Sequence, residues 1–281
     1  MILVFGKNGQ VATELLRQAN IFALGRDEAD LSNPASCVEK ILLHRPSIVI
    51  NAAAYTSVDK AEKEEDLAML INGEAPGAMA RGCAELNIPF LHISTDYVFN
   101  GNGLEPWQID SPAAPLNAYG RSKLLGEKEV MSAGANSAIL RTSWIFSSHG
   151  TNFVNTMLRL ANSNEVINIV NDQIGGPTPA DKIAEALLKM AYAMQQGQKG
   201  GIYHYSGSPY TNWSEFASEI FHQSGKKISV HGIPTSDYNT LAKRPLNSRL
   251  DCTKITQDFE IETPDWKAGL VRMLNNLEIN M

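Results

Sequence analysis

Tyr119 and Lys123, four residues apart in Tyr119-Gly-Arg-Ser-Lys123, fall on one face of a helix. An ammonium held beside a phenol favours the phenolate and lowers its pKa from the unperturbed value of about 10. Such a pair can give and take a proton near neutral pH. The same spacing also occurs on surface helices where a half-buried Tyr neighbours a solvated Lys, so the surroundings must decide. Ser94-Thr95-Asp96-Tyr97 lies about one strand-helix unit upstream, and its Thr95 hydroxyl can hold a carbonyl oxygen while Tyr119 protonates it.

A second chemical signal stands at the start of the chain. Gly6-Lys7-Asn8-Gly9-Gln10-Val11-Ala12 follows the apolar run Ile2–Phe5 and opens a helical pattern. Gly6 allows a tight turn, and Gly9 lets a diphosphate approach free N–H groups at the helix N-terminus. The second strand ends in Ala23-Leu24-Gly25-Arg26, with a cation where an acidic residue would hold the ribose of NAD. Arg26 can pair with the 2′-phosphate of NADP, or it is a solvated surface arginine beside Asp27 and Glu28. Asp30-Leu31 lies where a loop can cover an adenine, unless Asp30 caps the next helix. Asn51-Ala52-Ala53-Ala54-Tyr55-Thr56 ends a third strand with side chains small enough to leave room for a cofactor.

These residues need elements to hold them. Strands are expected at Ile2–Phe5, Ile21–Leu24, Ser47–Asn51, Pro89–Ser94, Ser137–Arg141 and Val166–Val170, and helices at Val11–Ala19, Pro34–His44, Asp66–Asn87 and Tyr119–Met131. This alternation predicts an α/β fold of the Rossmann type, a doubly wound parallel sheet that binds ligands at the strand C-termini. Beyond about Asp172 the pattern changes, with helices at 181–195, 213–224 and 266–277 and short strands at 202–206 and 228–231. We therefore expect a dinucleotide-binding unit over residues 1–170 and a smaller α/β substrate lobe over 171–281, interleaved with it.

Composition narrows the partners. A chain of 281 residues, 43% hydrophobic and 19% charged, can build a packed enzyme core. Its formal net charge of −6 argues against nucleic acid and anionic membranes. Cys37, Cys83 and Cys252 lack CxxC spacing and read as buried thiols in a reducing compartment. The first strand begins at Met1, no apolar run reaches the ~20 residues of a membrane span, and a cytoplasmic protein is expected.

Taken together, Gly6-x-x-Gly9-Gln10-Val11, Asp30-Leu31-Ser32-Asn33-Pro34, Asn51-Ala52-Ala53-Ala54-Tyr55-Thr56, Ser94-Thr95-Asp96-Tyr97-Val98-Phe99, Tyr119-Gly120-x-x-Lys123, Arg141-Thr142-Ser143-Trp144, Asp172-Gln173-x-Gly175-x-Pro177-Thr178 and Arg244-Pro245-x-Asn247-Ser248 resemble the extended short-chain dehydrogenase/reductase family. The resemblance implies reduction of the C4 keto group of a dTDP-linked 4-dehydro-6-deoxy sugar by NADPH, with NADH an alternative. It implies Thr95, Tyr119 and Lys123 as catalytic residues, with Lys123 also holding the nicotinamide ribose, and Gly6, Gly9, Gln10, Val11, Arg26, Asp30, Leu31, Ala53, Ala54, Tyr55 and Thr56 around the cofactor. Thr95, Asp96, Tyr97 and Trp144 would meet the sugar, and Arg244 the nucleotide phosphates unless it forms a structural salt bridge. The family also brings a homodimer bridged by a divalent metal such as Mg2+, and Glu14 and Asp181 resemble its ligands. No full oxygen set is visible, so no metal ligand is assigned. Two other readings stay open: another nucleotide-sugar reductase or epimerase, and a non-catalytic NADP-binding regulatory subunit resembling the β subunit of methionine adenosyltransferase.

Overall fold

Six short parallel strands make the central sheet: β1 (Ile2–Phe5), β2 (Phe22–Leu24), β3 (Ile48–Asn51), β4 (Phe90–Thr95), β5 (Ser137–Thr142) and β6 (Gly201–His204), in the order β6-β5-β4-β3-β1-β2. The computed structural model describes residues 1–279. Strand β1 is buried along its whole length, as an apolar run in a parallel sheet covered on both faces should be. Val4 packs in one core with Val11 and Leu15 of α1 (Gln10–Gln18) and with Ile183 and Leu187 of a helix at Ala180–Gln195. Its neighbours Leu3 and Phe5 point the other way. They join Ile41 of α2 (Pro34–His44), Met79 of α3 (Ala75–Glu85) and Val130 of α4 (Ala118–Ser132). This is the doubly wound parallel α/β architecture expected from the sequence.

Two departures matter for the site. The helix expected over 66–87 runs without interruption from Glu65 to Glu85, but it carries one π-helical turn at Leu70–Glu74 between Glu65–Met69 and α3. Pro76 has no N–H to give, and the turn brings Asn72 hard against α4, where a Cβ on Gly126 would lie 2.1 Å from the Asn72 carbonyl oxygen. The Asn72 side chain is thereby free to bind the Tyr55 N–H (2.8 Å), the Tyr55 carbonyl (2.9 Å) and the Ser122 hydroxyl (3.0 Å).

The second departure concerns the sixth strand. Val166–Val170 is a strand, but it pairs with Ser229–Ile233 outside the central sheet, and the sixth position is filled by β6 from beyond residue 170. Val166 is exposed and only Ile169 and Val170 are buried, so this segment covers one face and suits a two-stranded ribbon. Around that ribbon lies a third core, in which Phe146, Phe216 and Trp266 pack with Leu270. Short pairings at 145–146 with 178–179, and among 174–175, 211–212 and 247–248, tie this core to the end of the central sheet. Among the described residues no helix is long and apolar enough to cross a membrane.

Candidate active site

Helix α4 is anchored at its first turn by Asn117, whose side chain accepts from the Gly120 N–H (2.8 Å) and donates to the Lys243 carbonyl (2.7 Å). The Ala118 N–H, otherwise without a helical partner, donates to Glu62 Oε1 (2.7 Å). Gly120 then lets the helix touch the end of β4, since a Cβ there would lie 2.2 Å from the Tyr97 carbonyl oxygen. The Tyr97 and Tyr119 rings consequently meet edge to face, 5.6 Å apart at 77°. Thr95 closes β4, accepts from the Tyr97 N–H (3.1 Å) and donates to Asp96 Oδ1 (3.0 Å), and its hydroxyl lies near enough to Tyr119 to draw that phenol's pKa down. Thr95 and Tyr119 thus present two hydroxyls to one point, as a carbonyl-activating pair must.

Lys123 is 1% exposed, one turn further along α4. Its Nζ donates to the Ile93 carbonyl (2.7 Å) and lies 3.1 Å from His92 Nε2. Burial pushes its pKa down to about 7, with the charge of Glu127 opposing. Burial holds the Tyr119 phenol well above its usual value, the Thr95 hydroxyl opposes it, and the charges of Asp96 and Tyr97 push the same way as burial. Asp96, 2% exposed, is itself pushed up to about 6 by burial against hydrogen bonds from Ser248 and Thr95, and its Oδ2 has no partner.

A cleft of about 760 Å³ runs from Tyr119 to the glycine turn, and every residue that the sequence singled out for cofactor or substrate lines it. Gly6 adopts φ +98°, and a Cβ there would lie 2.8 Å from the Ala53 nitrogen, so the turn and the small residues after β3 need each other. Gly9 caps α1 and no side chain closes that end, which leaves its first N–H groups and positive dipole end facing the cleft. A dinucleotide diphosphate fits this donor set. Arg26, its side chain 77% exposed, pairs with Asp30 Oδ2 (3.2 Å), while Asp30 Oδ1 accepts from the Ser32 N–H (2.9 Å). Tyr55 donates its hydroxyl to Glu64 (2.8 Å).

At the other end, Trp144 takes a left-handed backbone conformation (φ +49°) and stacks on Trp213, ring centroids 3.7 Å apart at 14°. Arg244 donates to Asp59 Oδ2 (2.6 Å) and reaches the Tyr97 hydroxyl at 3.5 Å, so the guanidinium lines the cleft and forms a salt bridge at once. Sequence reasoning missed Trp213, Asn72 and His92. The capping box Asn212-x-x-Glu215 announced the helix that carries Trp213, but nothing local announced its stacking partner.

Glu14 and Asp181 each have a cationic or imidazole partner of their own. Glu14 Oε1 lies 3.1 Å from His149 Nε2 and 3.5 Å from Arg17, and Asp181 is paired with Arg272 at 3.2 Å. Among the described residues no cluster of three or more His, Cys, Asp or Glu is arranged to hold a metal.

Comparison with known proteins places this geometry. The sequence profile of the family described as RmlD substrate binding domain matches residues 1–279. A Sinorhizobium fredii protein named dTDP-4-dehydrorhamnose reductase is 42% identical over 97% of this chain and 96% of its own, and one from Escherichia coli K12 is 41% identical over 98% and 97%. The crystal structure of a Bacillus anthracis dTDP-4-dehydrorhamnose reductase in complex with NADP shares 33% identity, covers 98% of both chains, and superposes with a TM-score of 0.92. A profile match along nearly the whole chain, carried on the same fold, means that this chain belongs to the RmlD substrate binding domain family.

Proposed function

We propose that this chain uses NADPH to reduce the C4 keto group of dTDP-4-dehydro-6-deoxy-L-mannose, yielding dTDP-L-rhamnose for cell-surface polysaccharide in the cytoplasm. The observation that carries the reading is the convergence of Thr95, Tyr119 and Lys123 at one end of a cleft whose other end is the uncapped N-terminus of α1. When bound, the cofactor supplies the hydride. The chain's own residues do the rest: Thr95 polarises the carbonyl, Tyr119 gives its proton to the developing alkoxide, and Lys123 holds the nicotinamide ribose. The free N–H groups after Gly9 take the diphosphate, Arg26 the 2′-phosphate, and Asp30 and Leu31 border the adenine.

Residues 1–170 supply most of the nucleotide side, and 171–279, returning once into the sheet through β6, help close the sugar side. There Trp144, stacked on Trp213, offers a flat apolar face to a sugar ring, and Tyr97 and Asp96 line the same cleft. Arg244 lies where a guanidinium can meet a diphosphate.

The test incubates purified protein with NADPH or NADH and a panel of dTDP-, UDP- and GDP-linked 4-keto-6-deoxy sugars. Loss of reduced-nicotinamide absorbance and product stereochemistry are followed together. Consumption of NADPH with the dTDP sugar and formation of the L-rhamno product is the expected result. Turnover only with another nucleotide, or none with any, overturns the assignment.

A further inference from the structure

The buried partners of Lys123 constrain one another's protons. The Ala53 N–H donates to Asn51 Oδ1 (3.0 Å), which fixes the orientation of that amide. Asn51 Nδ2 must then donate to His92 Nδ1 (3.2 Å), so Nδ1 is the acceptor nitrogen and a neutral imidazole carries its proton on Nε2. Nε2 faces Lys123 Nζ at 3.1 Å. An Nε2–H can bond Nζ only if Nζ offers a lone pair, which an ammonium lacks. Charging His92 gives no escape, because a proton on Nδ1 would face the amide hydrogens of Asn51. Asn51 and His92 are 0% exposed and Lys123 1%, so a mismatched donor or acceptor among them costs free energy.

We infer that Asn51 and His92 hold Lys123 as a neutral amine in the free protein, and that Lys123 takes up a solvent proton when NADPH binds, which is when Tyr119 becomes a competent acid. His92 and Asn51 are positioning residues acting through Lys123. The inference rests on the proposed NADPH site.

The surroundings fit. The charged and titratable groups about Lys123 are Tyr119 and Glu127 on its own helix, His92 and Asp96 on and after β4, and Arg141 on β5. Of these the Glu127 charge is already engaged by Arg141 (2.7 and 2.9 Å) and by the Ser94 hydroxyl (2.6 Å). The downward shift of Lys123 by burial agrees with an uncharged amine. A bound dinucleotide brings ribose oxygens and phosphate charge, both of which favour the ammonium.

Proton uptake on NADPH binding is measured by titration calorimetry in buffers of different ionisation enthalpy. With a free-protein pKa of about 7, uptake should approach one proton per NADPH near pH 8 and fall toward none near pH 6. Lys123→Met should bind without uptake. Asn51→Asp sharpens the test: a carboxylate accepts a proton-bearing Nδ1, turns Nε2 into an acceptor and leaves Lys123 charged beforehand, so uptake near pH 8 should vanish although His92 and Lys123 remain. Should that variant fail to fold, the ¹⁵N spectrum of histidine-labelled wild-type protein must show His92 protonated on Nε2. Binding without uptake, uptake unchanged in Asn51→Asp, or His92 protonated on Nδ1 overturns the inference. Failure to bind NADPH at all removes the cofactor site and the coupling with it.

Discussion

Arg141 and Lys123 are both buried cations, 3% and 1% exposed, on neighbouring elements, yet their surroundings are opposite. Arg141 meets Glu127 through two short bonds, sits over the Phe99 ring at 5.0 Å, and has His204 Nε2 at 3.3 Å. Lys123 bonds only to an imidazole and a backbone carbonyl. A fully answered buried charge is locked into one protonation state and holds β5 to α4. A buried base with neutral partners stays close to titration, which is what proton chemistry needs.

The largest expected effect tests the acid that Lys123 serves. Tyr119→Phe keeps the ring and removes the proton donor, so keto reduction should fall by ~10²–10⁴-fold while NADPH still binds. Steady-state turnover retaining more than about a tenth of the wild-type rate would take Tyr119 out of the mechanism.

Stability separates the two cations next. Glu127→Ala strands Arg141 and should cost about 3–5 kcal/mol in denaturant unfolding, the usual result of breaking a buried pair. Lys123→Met keeps length, removes a buried amine that has only neutral partners, and should cost less stability than Glu127→Ala while activity and NADPH affinity both drop. Equal stability losses in the two variants would erase the distinction between them.

A third cation extends the comparison to the surface. Arg26 is largely solvated in its pairing with Asp30, so its removal should not touch folding. Arg26→Ala should weaken NADPH about tenfold and leave NADH nearly unchanged, the low end of what a charge-assisted bond contributes because the side chain is exposed. Direct binding titrations with both nucleotides decide it. Equal weakening of both returns Arg26 to an ordinary surface charge.

The smallest effect is one of pH. The folded-state pKa of Lys123, about 7, lies below its unfolded value of about 10.4, so between them the unfolded chain binds the extra proton. Its cost to stability is therefore full below pH 7 and is relieved as pH rises, by at most about 1.4 kcal/mol per unit. Between about pH 7 and 8.5, wild-type protein should gain on Lys123→Met by that slope. Above this range the three buried thiols and the buried phenols, all held upward, begin to act in the opposite sense. Parallel stability curves for the two proteins in that window would show that Lys123 is charged throughout.

Local pattern was enough for much of this molecule. An apolar run, two glycines and the start of an amphipathic helix specify β1, its turn and α1, because turn geometry and helix onset depend on adjacent residues. The four-residue spacing of Tyr119 and Lys123 likewise put both on one face of α4, and Thr95 at a strand end put its hydroxyl beside them. Tertiary structure alone decided the rest. Apolar residues at Val166–Val170 announce a strand but not which sheet it joins, so only packing excluded it from the central sheet and brought in β6. The π-helical turn at Leu70–Glu74 exists because Gly73 and Gly126 let two helices touch, and Trp144 found Trp213 across 69 residues by the closing of the third core. Above all, proton affinity is a property of surroundings. Lys123 draws its partners from positions 31 and 30 residues away and His92 draws its own from 41 away, so no reading of neighbours along the chain could have shown that the amine is buried between an imidazole and a backbone carbonyl.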